Sequence, residues 1–234
     1  KDQIDLPVVI MAGGKGKRLK PLTNILPKPL IPLGDKTIIE EIMSKFVSVG
    51  SDKFFISLFY KSELIKYYFN DLKNNEYKID FFEEDKPLGT AGSLYLLKER
   101  LNETFFVTNC DIIIDQDYTE IYKYHKENMN EITIVSALSH FQFPYGIIET
   151  GKEGKLISIE EKPEITYNIN SGMYILEPHL LKEIPDNKFF HITQLIEKVK
   201  KRDGTIGVFP VSEKSWIDIG DWKKYIDEID VIKK

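Results

Sequence analysis

The segment "AGGKGKRLKPL", from Ala12 to Leu22, packs three glycines among four cations, and Lys28 follows shortly after "LTNILP". Gly13, Gly14 and Gly16 let backbone amides approach an anion closely. Lys15, Lys17, Arg18, Lys20 and Lys28 could then neutralise a polyanion such as a triphosphate. A tight turn beside a solvated lysine surface would also account for the lysines. Arg18 fits that explanation less well, because the chain has only two other arginines, Arg100 and Arg202, and guanidinium suits bidentate phosphate contact. The loop does not follow the P-loop pattern, and Leu19 stands where a dinucleotide fingerprint requires its third glycine.

Two acids sit where strands end. Asp111 follows Asn109 and Cys110 after an apolar run, and an acid there could hold a hard cation such as Mg²⁺ or cap a turn. Asp218 lies between Ile217 and Ile219 and needs a partner if buried, whereas Asp221 reads as the N-cap of a helix beginning "WKKY". A metal shared with Asp111 would give Asp218 that partner. "EEKP" at 160–163 is a further strand end. In open α/β sheets such ends are where ligands bind.

The elements that must position these residues follow from periodicity. "LPVVIMAGG" reads as a buried strand running into a loop. "KTIIEEIMSKFVSVG" reads as a helix with Ile38, Ile39, Ile42, Met43 and Phe46 on one face and a stop at Gly50. Strands are expected in "KFFISLFY", "YKIDFFEE", "TFFVTNCDIII" and "EITIVSAL", with helices near 61–72, 90–99 and 118–128. That alternation predicts a Rossmann-like, doubly wound α/β fold with a mostly parallel mixed sheet flanked by helices. Beyond residue 140 come short strands, "YGIIET", "KLISIEEKP" and "INSGMYIL", then helices near 190–200 and 221–230. Without a linker or repeat, residues 1–234 are expected to form one domain.

At 234 residues, 42% hydrophobic and with a net charge of -5, the chain can bury a large core and lacks the basic excess of a nucleic-acid binder. One cysteine, Cys110, leaves no intrachain disulfide and fits a reducing cytoplasm. No run is long and apolar enough to span a membrane, so no membrane partner is expected. His125, His140, His179 and His191 show neither metal-ligand spacing nor a serine motif, and read as ordinary surface or core residues.

"MAGGKGKRLKPLTNILPKPLIPLGDKTIIE" resembles the opening signature of the sugar-1-phosphate nucleotidyltransferases, G-G-x-G-T-R-L-x-P-L-T followed by P-K-P. The likeness continues in family order through "EEDKPLGTAGSL", "NCD", "YGIIE", "EEKP", "INSGMYIL" and "WIDIG". Two departures are Lys17, where the family has Thr, and Cys110, where it has Gly or Ala. The resemblance implies nucleotide binding by Ala12, Gly13, Gly14, Gly16, Lys17, Arg18, Glu84, Pro87, Gly89, Thr90 and Asn109. It implies sugar-phosphate binding by Lys28, Gly146, Glu161, Lys162 and Asn170, with Tyr145 either bordering that pocket or packing. Asp111 and Asp218 would be the Mg²⁺ ligands, and with Arg18 and Lys28 the catalytic set.

The implied reaction joins a nucleoside triphosphate and a sugar-1-phosphate into a nucleotide sugar plus pyrophosphate. The "NCD", "PLGTAG" and "WIDIG" forms are most similar to a subgroup carrying a pair of N-terminal cystathionine-β-synthase-type modules. It includes glucosamine-1-phosphate guanylyltransferases of legionaminic acid synthesis. A chain that begins at Lys1 fits an upstream module removed, and GTP with glucosamine-1-phosphate is then the expected pair. Thymidylyl, cytidylyl or uridylyl transfer to another hexose or heptose phosphate stays open, as do a regulatory nucleotide-binding module without turnover and a homo-oligomer.

Overall fold

A computed structural model describes residues 3–72, 76–220 and 225–226. Its centre is one seven-stranded sheet. The strands are β1 (Val8–Met11), β2 (Lys53–Leu58), β3 (Lys78–Glu83), β4 (Phe105–Asn109), β5 (Ile132–Gln142), β6 (Glu164–Leu176) and β7 (Ile206–Val211). The spatial order is β7-β5-β6-β4-β1-β2-β3. Only β6 runs against its neighbours, β4 and β5; the other pairings are parallel. The mostly parallel mixed sheet read from the sequence is therefore present, and strands from the second half join it.

Strand alternation divides the core. Val8 and Ile10 of β1 face one apolar cluster and Val9 the other. The first cluster is closed by helices α1 (Ile38–Val47), α2 (Ser62–Leu72) and α3 (Tyr118–Glu127); the second by α4 (Ile192–Lys201) and the 3₁₀ segment Gly92–Leu97. Helix α1 starts where Thr37 and Glu40 cap each other: the Glu40 carboxylate accepts from the Thr37 N–H at 2.8 Å and the Thr37 hydroxyl from the Glu40 N–H at 3.4 Å. It buries the five apolar residues its spacing predicts, an apolar burial worth on the order of 10 kcal/mol before chain entropy is counted.

Four expectations change. The helix expected at 90–99 is a 3₁₀ segment, because Gly92 and Ser93 open it and Leu94 and Leu97 are its inward anchors. "TFFVTNCDIII" is not one strand but two, β4 and Ile112–Ile114, broken at Cys110–Asp111. "INSGMYIL" is the end of a 13-residue strand that begins at Glu164. Strand β7 was not expected. Asp221 and most of the helix expected near 221–230 lie outside the described residues. Among the described residues no helix is long and apolar enough to cross a membrane.

Candidate active site

The carboxyl ends of β1 and β4 lie side by side, with Met11 in register with Asn109. The glycine loop leaves β1 there, and Gly16 sits in a left-handed turn (φ 58°) whose carbonyl accepts the Thr23 hydroxyl at 2.9 Å. A short 3₁₀ turn, Lys28–Leu30, then buries Lys28, which forms an ion pair with Asp111; their side chains keep 9% and 15% of their exposure. An ammonium so placed compensates a carboxylate that has lost most of its water.

Asp218 reaches the same place from the far end of the chain. Trp216–Asp218 pairs antiparallel with Ile112–Ile114, setting Asp218 opposite Ile112, and the Ile219 N–H donates to the Asp111 carbonyl at 2.9 Å. The Asp218 carboxylate accepts the Gly220 N–H at 2.7 Å. A β-carbon on Gly220 would lie 2.5 Å from that carboxylate and 3.0 Å from the Arg18 guanidinium. Gly220 thus gives Asp218 and Arg18 room beside one stretch of backbone.

Two clefts meet here. One, of about 450 Å³, is lined by Arg18, Asp111, Asn170, Tyr174, Trp216 and Asp218 among others. The second, of about 370 Å³, is lined by Gly13, Gly14, Gly16, Lys28, Glu84, Pro87 and Gly89 among others. Thr90, Asn109, Asp111 and His191 line both. Seven of the nucleotide-binding candidates, Gly13, Gly14, Gly16, Glu84, Pro87, Gly89 and Thr90, are thereby gathered, with Asn109 on the shared wall.

Glu84 is held on both sides: it accepts the Ser57 hydroxyl at 3.0 Å and the Leu88 N–H at 2.9 Å, and a β-carbon on Gly13 would approach it to 3.1 Å. It ties the glycine loop to the "PLGTAG" loop. The glycines of that second loop serve the protein's own packing. A β-carbon on Gly89 would lie 2.7 Å from the Phe190 carbonyl, and one on Gly92 2.6 Å from the Lys188 carbonyl. The Phe190 N–H donates to Leu88 at 2.8 Å and the Ala91 N–H to Phe190 at 3.0 Å, zipping the loop to the segment that enters α4.

The remaining candidates are placed differently. Ala12 is buried behind the glycine loop, and Lys17 points outward. Asn170 lies on the wall of the larger cleft and accepts from Tyr174 Oη at 2.9 Å. Gly146, Glu161 and Lys162 line neither cleft; they stand exposed on an arm that projects from the sheet, as does Tyr145. "EEKP" does end a strand, Leu156–Glu160, but that strand pairs only with Ile147–Thr150 and is not part of the central sheet.

Burial pushes the Cys110 thiol up to about 12, with the Asp111 charge adding to it, so it is a neutral packing group at pH 7. His191, set aside by the sequence reading, sits at the junction of the clefts within 3.3 Å of the Thr90 hydroxyl. No spacing pattern signals it. Trp216 and Tyr174 also line the larger cleft, within segments already singled out. The other three histidines lie in neither cleft, and His125 is buried against Thr133 and Glu177.

A crevice at the strand ends, lined by glycines, a buried lysine–aspartate pair and a second aspartate, marks the chain as a doubly wound α/β protein with a polar cleft where such sheets bind ligands. The chain belongs to the nucleotidyl transferase family, whose model matches residues 7–234. It is similar to the mannose-1-phosphate guanylyltransferase catalytic subunit beta of Danio rerio, 32% identical over 231 residues, covering 94% of this chain and 63% of that one. It is also similar to the UTP–glucose-1-phosphate uridylyltransferase of Synechocystis, 30% identical with 94% and 61% covered. The chain therefore spans under two thirds of the length of these curated relatives. Among solved structures, HddC from Yersinia pseudotuberculosis complexed with GMP-PN matches with a TM-score of 0.74 at 26% identity, over 97% of this chain and 99% of that one. A putative glucose-1-phosphate thymidylyltransferase from Bacillus anthracis shares the fold, with a TM-score of 0.76 at 20% identity over 98% and 96%.

Proposed function

We propose that this chain transfers a nucleotidyl group from a nucleoside triphosphate, GTP, to a sugar-1-phosphate, releasing pyrophosphate. The observation that carries the reading is the meeting of Arg18, Asp111 and Asp218 in one cleft, with Lys28 reaching Asp111 from the 3₁₀ turn Lys28–Leu30. A protein that only binds nucleotide has little use for a second acid brought there by its own strand pair.

In this mechanism an oxygen of the sugar phosphate attacks the α-phosphorus in line, the new P–O bond forms, and the bond to the β-phosphate breaks. Pyrophosphate leaves with the electron pair. The nucleophile needs no general base, since the second phosphate pKa is about 6. Catalysis is then positioning and charge neutralisation. Arg18 holds the β- and γ-phosphates and receives the charge of the departing pyrophosphate; Lys28 draws the reacting phosphates into line. Asp111 and Asp218 form an all-oxygen pair suited to Mg²⁺, which would supply charge neutralisation at the α-phosphate while keeping water ligands. Asn170 faces the sugar side. Assignment of Gly146, Glu161 and Lys162 to the sugar phosphate rests on the resemblance alone.

GTP is favoured by the guanylyltransferase names of several relatives and by the GMP-PN complex of HddC. Glucosamine-1-phosphate, the legionaminic acid route and an upstream regulatory pair rest on the "NCD", "PLGTAG" and "WIDIG" forms. Mannose-1-phosphate is the second reading, favoured by the relatives' names. Pyrophosphate release from GTP, UTP, CTP and dTTP against a panel of sugar-1-phosphates with Mg²⁺ tests both. Turnover should be highest with GTP and fall roughly 10²-fold or more in Asp111→Asn and Asp218→Asn. Tight nucleotide binding without pyrophosphate under any sugar phosphate would sink the enzyme reading.

A further inference from the structure

The arm that carries Gly146, Glu161 and Lys162 has no core of its own. Between residues 141 and 162 no residue is buried. Yet of the large apolar side chains exposed among the described residues, nine fall between 141 and 167: Phe141, Phe143, Tyr145, Ile147, Ile148, Leu156, Ile157, Ile159 and Tyr167. A lone two-stranded hairpin is marginal in water, and exposed apolar area is ordinarily scattered. Here it is concentrated.

Register shows that the concentration is sided. Ile159 lies opposite Ile148, and Leu156 opposite Thr150, with a bulge between Leu156 and Ser158 that brings Ile157 over Gly151. Cross-strand partners share a face and neighbours along a strand alternate. One face therefore presents Ile148, Leu156, Ile157 and Ile159, each 60–63% exposed and without a charge among them. The opposite face pairs Ser158 with Glu149 and Glu160 with Ile147. At the arm's root Phe141 and Tyr167 touch across β5 and β6, ring centroids 6.3 Å apart, and are 49% and 56% exposed.

We propose that the arm is a self-association surface, two copies of this chain stacking their apolar hairpin faces about a two-fold axis. The size of the surface argues for a second copy. Four aromatics at these exposures offer roughly 450 Å², already as much as the largest patch of an ordinary monomer. The four aliphatic side chains of the apolar face, each 60–63% exposed, bring the arm to the order of the ~800 Å² each partner contributes to a stable interface. The patch formed by Ile148, Leu156, Ile157 and Ile159 contains no charge to repel its own copy, Glu161 lying beyond its end over Gly146, and self-complementary patches are what a two-fold dimer requires. This inference concerns the arm's apolar face, and its test reads oligomeric state without substrate, so its failure is distinguishable from a failure of the proposed reaction.

Sedimentation and light scattering of the full chain over a concentration range test it. The wild type should be a dimer and Ile148→Lys/Ile159→Lys a monomer with unchanged circular dichroism, while Tyr67→Lys, on α2, stays dimeric. Since the single native cysteine is buried, Ile148→Cys gives a second, non-disruptive test: a short bismaleimide should join two copies, and Tyr67→Cys should not cross-link. A monomeric wild type, a Lys/Lys variant that remains a dimer, or Ile148→Cys that does not cross-link overturns the proposal.

Discussion

Replacing Lys28 by methionine keeps an unbranched side chain as far as its fourth atom and removes the ammonium from Asp111. The Asp111 carboxylate retains 15% of its exposure, so little water can replace the lost partner. Breaking such a pair typically costs 3–5 kcal/mol; with some solvent left at both ends, about 3 kcal/mol is the expected loss. For a chain of this size each kcal/mol moves the melting midpoint by roughly 2–4 °C, so Lys28→Met should melt about 6–12 °C below wild type. The double variant Lys28→Met/Asp111→Asn removes the stranded charge as well as its partner and should recover most of that loss. A cation at the two acids substitutes for the missing ammonium, so added Mg²⁺ should raise the midpoint of Lys28→Met more than that of wild type. Differential scanning fluorimetry with and without Mg²⁺, backed by urea titration, measures all three. A Lys28→Met midpoint within about a degree of wild type, or a double variant no more stable than Lys28→Met, would refute the account of the pair as a carboxylate compensated by an ammonium.

Gly220→Ala should leave the fold intact but lower turnover at least tenfold, because its β-carbon meets both Asp218 and Arg18; steady-state kinetics on a variant of unchanged melting midpoint checks it. Gly89→Ala combines a positive φ of 82° with contact on the Phe190 carbonyl, so it should cost about 1–3 kcal/mol and weaken nucleotide binding, read by calorimetry. Arg202, with His179, holds the Glu131 carboxyl at about 2, below its ordinary 4.5. A depressed folded-state value gives stability that is complete above about pH 4.5 and lost as the pH falls toward 2. Thermal melts of Glu131→Gln should accordingly show a shallower acid decline over that window than wild type.

Much of this architecture is legible in the chain because its signals are local. Short apolar, β-branched and aromatic runs mark β1 to β4, the five-residue apolar stripe marks α1, and the glycine-and-cation segment marks the anion loop. What stays hidden depends on distant partners. Strand β7 contains Gly207 and Pro210, residues that argue against a strand; the proline is tolerated because β7 is an edge, paired on one side with β5. The meeting of Asp111 with Asp218 depends on a three-residue strand pair whose register no local pattern sets. "EEKP" satisfied the strand-end expectation in sequence, but its strand belongs to a separate hairpin, so the rule for parallel sheets did not apply to it. His191 joined the site only because Gly89 lets the "PLGTAG" loop close on the segment before α4.

That closure also sets how the two clefts must communicate. The Thr90 hydroxyl accepts the first N–H of α4, from Ile192, at 2.9 Å, and Thr90, Asn109, Asp111 and His191 form a wall common to both cavities. An occupant of one side that shifts this wall alters what an occupant of the other side meets. Thermodynamic reciprocity then requires each to change the other's affinity by the same factor. Any coupling between the two halves of the crevice would run through these four shared side chains.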